Sequence, residues 1–163
     1  MSHAQRTLAA GIACLALACG AAAQATVSCT LSAVGPAFGI YTPTSTSALD
    51  SNGNVTVTCT LLSGGTITVM PTVTLSAGAS GNFVTRTMLS GTQKLNYNLY
   101  WSTAYSQVWG DGTGGSYPGS AKITLSPAAP TQSASGVVYG QVYALQNPAP
   151  GSYTDSIVVT ATY

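Results

Sequence analysis

An all-β fold, an antiparallel sandwich or barrel, is predicted from three observations. Apolar residues recur with a period of two in segments rich in β-branched side chains. Pieces rich in Gly, Ser, Asn and Pro interrupt those segments at short intervals. No stretch of helical period reaches the roughly ten to twelve residues a stable helix wants.

In chain order, Val27, Cys29 and Leu31 alternate with polar residues and begin a first strand. Ser51-Asn52-Gly53 supplies a turn, after which residues 54–61 place Val55, Val57, Cys59 and Leu61 on one face and Asn and Thr on the other. Further strands are expected over residues 66–70, 72–75, 94–101, 121–125, 137–144 and 156–163. They are separated by Gly64-Gly65 and by residues 76–82, 110–120, 127–136 and 147–151. About seven short strands at this spacing read as one antiparallel domain, with no internal repeat and no shift of composition to mark a second.

Residues 1–25 read as a secretory signal peptide. Arg6 closes a short basic start, residues 8–23 are apolar, and small residues crowd a cleavage point after Ala23 or Ala25. The apolar run is short for a membrane span. Cys19 raises a lipid-anchor alternative, although Ala16-Leu17-Ala18 lacks the leucine expected three positions upstream. Residues 26–163 are then the folded domain. Without the leader, Arg86, Lys94 and Lys122 balance Asp50, Asp111 and Asp155, and neither Glu nor His remains. So neutral a chain offers no basic surface for nucleic acid or for an anionic membrane.

Cys29 and Cys59 are the only cysteine pair outside the leader, and in an oxidising compartment they are most simply one disulfide. Closing a loop of about 30 residues contributes roughly 3–4 kcal/mol in the chain-entropy model. A metal site needs more ligands than two thiols, and no cofactor motif is present. The glycine run of residues 110–115 opens between strands rather than before a helix, so it reads as a turn and not a phosphate loop. No histidine is available for a nucleophile–base pair, and paired-carboxylate chemistry would need two of three distant aspartates to meet. The chain is read as a non-enzyme without a small-molecule substrate. Arg86 reads as structural, its fork donating to carbonyls or Asp. Tyr100, Trp101, Tyr105 and Trp109 are read either as core or as an exposed aromatic binding surface.

Taken in order, several pieces resemble the spore coat protein U domain family, which includes pilin subunits of archaic chaperone–usher pili. They are Cys29, Phe38-Gly39-Ile40-Tyr41, Gly53 leading to Val57-Thr58-Cys59, and Arg86-Thr87-Met88. They continue with residues 95–100, Trp109-Gly110-Asp111-Gly112, Tyr139-Gly140-Gln141-Val142 and residues 150–155. The resemblance implies an immunoglobulin-like sandwich that lacks its last strand and accepts a donated one. It implies a periplasmic chaperone, an outer-membrane usher and a neighbouring pilus subunit as partners, with export to the periplasm and then to the cell surface as a fimbrium, or secretion. The acceptor edge falls on Ile157, Val159, Ala161 and Tyr163, and the Tyr163 carboxylate becomes the chaperone's anchor. An open edge there exposes unpaired backbone, which strand addition cures.

The few residues between the expected cleavage point and Cys29 are too short to serve as a donor. A subunit that receives a strand without giving one, at a tip or terminus, or a family member outside a pilus, is therefore expected. Tip adhesins of the family resemble two tandem domains, and one is seen here. The alternative is a self-contained secreted module that binds a surface or carbohydrate through the four aromatics.

Overall fold

The computed structural model describes residues 24–163, so the leader expected over residues 1–25 lies almost wholly outside the described residues. The described chain is built from β-strands and a single 3-10 turn, and no described helix is long and apolar enough to cross a membrane.

Ten strands run in order: β1 Thr26–Val34, β2 Leu49–Ser63, β3 Ile67–Val69, β4 Thr72–Leu75, β5 Arg86–Ser90, β6 Gln93–Tyr100, β7 Gly119–Ser120, β8 Ile123–Leu125, β9 Thr131–Val142 and β10 Val159–Thr162. The main sheet has the order β1-β2-β9-β6-β5, a second sheet β10-β4-β7, and β3 pairs with β8. Every named pairing is antiparallel. The result is a curled antiparallel sheet faced by smaller ones, an immunoglobulin-like sandwich without one of its edge strands.

The period of two decides what is inside. Val55, Val57 and Cys59 of β2, Leu95, Tyr97 and Leu99 of β6, and Val138 and Val142 of β9 form the inner face of the main sheet. Val73, Leu75, Ile123 and Leu125 meet them from the opposite layer. Each such aliphatic side chain contributes about 1.5–3 kcal/mol when fully buried. Trp109 is 2% exposed and fills the centre, its indole N–H donating to the Val73 carbonyl at 3.1 Å. Trp101 stacks on it with ring centroids 3.7 Å apart. Cys29 and Cys59 face each other across β1 and β2 and are joined as a disulfide.

Four expectations differ from what is found. Ser51-Asn52-Gly53, read as a turn, lies inside β2, where each residue pairs with β9. Residues 131–136, read as a connection, are the first half of β9. Their Ser and Thr hydroxyls pair across the sheet, Ser135 with Thr56 at 2.8 Å and Ser133 with Thr58 at 2.7 Å. On the inner side Gly136 leaves room for the Trp109 ring, whose Cη2 lies 3.3 Å from where a Cβ would stand. β5 was not expected as a strand, because the inward Arg86 breaks the apolar pattern there. The final strand is shorter than residues 156–163, with regular pairing confined to β10.

Candidate functional site

Between the segment that follows β1 and the segment that precedes β10, a cleft of about 990 Å³ enters the sandwich. Residues 33–41 form one wall and residues 148–157 with Val159 form the other. Its floor is the hydrophobic core itself, including Val55, Leu75, Leu95, Leu99, Val138 and Val142. A sandwich closed by its own strands has no such opening, since protein interiors pack to crystal density.

The second wall is placed residue by residue. Tyr153, Asp155, Ile157, Val159 and Ala161 point inward and are half-buried, while the residues between them are exposed. Thr154 exchanges backbone hydrogen bonds with Leu89 at 2.8 and 3.1 Å. Val158 accepts from the Ser76 amide at 2.9 Å and donates to the Ser76 hydroxyl at 2.9 Å. Thr154 and Val158, with Thr160 and Thr162 after them, therefore turn their backbone groups to β5 and to β4 with the Ser76 that follows it, while the Ser156 amide goes to the Asp155 carboxylate. Alternation then turns the N–H and C=O groups of Asp155, Ile157, Val159 and Ala161 toward the cleft side, where no described strand pairs with them. Three of the four sequence-predicted acceptor residues, Ile157, Val159 and Ala161, thus line one free edge.

Tyr163, the fourth, is 57% exposed and is not among the residues that line the cleft. Its phenol oxygen accepts a hydrogen bond from the Cys29 amide at 3.0 Å. The amide of Cys29 therefore also points to the open side, so β1 presents a second free edge. β1 itself pairs with β2 along its whole length, from Thr26 to Val34. The two edges are joined here through a tyrosine side chain, not by backbone pairing.

Asp155 anchors the wall. Its carboxylate accepts from the Tyr97 phenol at 2.7 Å and from the amides of Ala79 and Ser156 at 2.9 and 2.8 Å. Burial, and then this hydrogen bond, raise the Tyr97 phenol far above its ordinary pKa. Gly78, at φ +66°, has Asp155 lying against its Cα, so a Cβ there has no room.

Arg86 braces the same wall from within. It is 0% exposed; Nε and Nη2 donate to the Ser76 carbonyl, Nη2 also to the Trp109 carbonyl, and Nη1 to Asn98 Oδ1, all within 3.0 Å. Burial lowers its pKa, opposed by nearby Tyr97 and Asp155. A guanidinium satisfied by carbonyls at this density is structural.

The opposite wall is a strap without regular structure that the strand pattern did not reveal. Phe38 lies edge-on to Tyr97, with centroids 5.9 Å apart, and sits over Gly140, where a Cβ would come 2.7 Å from its ring. Ser51 Oγ holds the Ala37 carbonyl at 2.8 Å, and Tyr41 Oη accepts from the Gln146 amide at 2.7 Å. The strap is therefore a pinned wall. The one sequence signal for it is Phe38-Gly39-Ile40-Tyr41, a piece of the family resemblance.

The aromatic set divides. Trp109 and Tyr100 are inside, at 2% and 7% exposure, while Trp101 and Tyr105 are half-buried. The Gly110–Gly115 run folds on itself: Asp111 Oδ1 accepts from the Thr113 amide and hydroxyl at 2.8 and 2.7 Å, which holds its pKa below the usual carboxylate value. No helix follows it. Among the described residues no three of His, Cys, Asp and Glu come together.

A family model for the Spore Coat Protein U domain matches residues 15–160. "Protein U" of Myxococcus xanthus is 32% identical over 133 residues, an alignment that covers 77% of this chain and 70% of that relative. Among solved structures, the chaperone–tip adhesion subunit pre-assembly complex (CsuC–CsuE) from the archaic chaperone-usher Csu pili of Acinetobacter baumannii contains a similar chain. The match has a TM-score of 0.52 and 19% identity over 85% of this chain, and it spans 40% of the other's length. At that identity the likeness is one of fold.

Proposed function

The chain belongs to the Spore Coat Protein U domain family, and from that premise we propose that it is a structural or adhesive subunit of a secreted surface pilus that accepts a donated strand. The observation that carries this reading is the cleft whose floor is the core, opening between the strap of residues 33–41 and the segment of residues 148–157, together with the unpaired outer edges of β1 and β10. An extended segment laid between them would hydrogen-bond to Asp155, Ile157, Val159 and Ala161 on one side and to β1 on the other. Its alternate side chains would enter the core, completing the sandwich by strand addition. A periplasmic chaperone would fill the cleft first. An outer-membrane usher would then exchange it for a segment of a neighbouring subunit, and the assembled protein would stand at the cell surface. This role calls for no catalytic group.

The test compares thermal unfolding of the chain alone with unfolding in the presence of a peptide from the N-terminal extension of a candidate neighbouring subunit. A peptide that binds only the folded state adds about 2.7 kcal/mol of stability at a hundredfold excess over its Kd. The reading predicts a concentration-dependent rise in Tm. A chain that is monomeric, cooperatively folded and indifferent to every such peptide would return it to a self-contained module.

A further inference from the structure

Beyond the end of the cleft the edges of β1 and β10 are tied together through Tyr163, and the tie sits on a group that an added strand would need. The Cα atoms of Cys29 and Cys59 stand 4.0 Å apart, the close spacing of an antiparallel pair that exchanges no backbone hydrogen bonds. The N–H and C=O of Cys29 therefore point away from β2, and alternation gives those of Leu31 and Ala33 the same direction. A guest strand pairing along β1 takes its hydrogen bonds from these groups. At Cys29 the amide is already engaged, because it donates to the Tyr163 phenol at 3.0 Å.

Three features allow this contact to open. Tyr163 follows directly on Thr162, the last residue paired with β4, so its side chain can swing without unpairing β10. It is 57% exposed, and leaving costs it little buried surface. The cleft also stops short of it. Of the two edge strands only Ala33 and Val34 of β1 and Val159 of β10 line the cleft, whereas Val27, Cys29, Leu31 and Ala161 pack against the core outside it. A strand can thus fill the cleft with the contact intact, but it cannot continue along β1 to Cys29 until the phenol gives up the amide. Resting on the strand-acceptance reading above, we propose that Tyr163 is a latch: its phenol occupies the β1 amide that an incoming strand must take, and blunts that edge until the strand displaces it.

The test is Tyr163→Phe, which keeps the ring and removes only the hydrogen-bonding oxygen. Two quantities are compared between the folded chain and this variant: hydrogen exchange of the Cys29 amide without peptide, and the calorimetric Kd for the N-terminal-extension peptide used to test strand acceptance. The Cys29 amide of the variant should exchange roughly three- to tenfold faster, the worth of one neutral hydrogen bond. Its Kd for the peptide should fall by a similar factor, since a larger share of the chains presents the edge free. Equal Cys29 exchange in the two chains, or a peptide bound no more tightly by the variant, would overturn the latch and leave strand acceptance standing. A peptide bound by neither chain would overturn strand acceptance itself, and the latch with it.

Discussion

Replacing Arg86 probes the packing that holds the second wall of the cleft in place. The guanidinium makes four hydrogen bonds to three acceptors, the carbonyls of Ser76 and Trp109 and the side chain of Asn98. Arg86→Ala leaves all three without that donor, at about 1–3 kcal/mol for each acceptor that stays buried and unpaired. Water entering the space left by the side chain recovers part of this, so we expect a net loss of roughly 3–5 kcal/mol, in line with the loss of one partner from a buried charged network. Arg86→Met keeps most of the stem and isolates the hydrogen bonds from the packing; it should lose only slightly less. Arg86→Lys keeps the charge but not the fork, and should fall between Met and wild type. Ser76 also holds Val158 through its amide and hydroxyl, so the same variants should loosen the free edge and weaken strand acceptance. Equilibrium urea unfolding, followed by the fluorescence of Trp101 and Trp109, reads the stability directly. Arg86→Ala and Arg86→Met both within about 1 kcal/mol of wild type, less than one orphaned buried acceptor should cost, would refute the reasoning.

Three further outcomes are expected. The folded-state pKa of Tyr97 lies above its unfolded value near 10, so its contribution to stability is complete below pH 10 and is lost as the pH rises beyond it. In an alkaline absorbance titration Tyr97 should ionise only as the chain unfolds; its reversible ionisation near pH 10 with the fold intact would contradict this. Reducing the Cys29–Cys59 bond, or replacing both cysteines by Ser, should cost roughly 3–4 kcal/mol in urea unfolding, with an unchanged midpoint as the contrary result. Gly140→Val pushes a side chain into Phe38 and Pro36 and should cost about 1–3 kcal/mol, partly relieved by adding Phe38→Ala. Strict additivity of the pair would mean that the strap does not pack there.

The sheet pattern was legible wherever one face is apolar and the other polar, as in Val55, Val57 and Cys59 or Leu95, Tyr97 and Leu99. It failed where tertiary packing dictates the composition. The first half of β9 reads as a linker because its outer residues are hydroxyls in cross-strand pairs and its inner Gly136 is shaped by Trp109. β5 is hidden because a buried arginine holds an inward position. The inward alternation of Ile157, Val159 and Ala161 was visible in the sequence. The cleft beside them was not, because its other wall is a strap held by Ser51, Gln146 and the hollow at Gly140, contacts that no local pattern encodes.

Residue-resolved amide hydrogen exchange, with and without a donor-strand peptide, tests strand acceptance most directly. In the chain alone, the amides of Ile157, Val159 and Ala161 should exchange fast while those of Thr160 and Thr162, turned toward β4, are protected. Added peptide should slow the first three, and the Cys29 amide should keep its protection as a backbone partner replaces the Tyr163 phenol. Ile157, Val159 and Ala161 amides that are already protected without peptide, or that stay fast at saturating peptide, would contradict the claim that this edge awaits a strand.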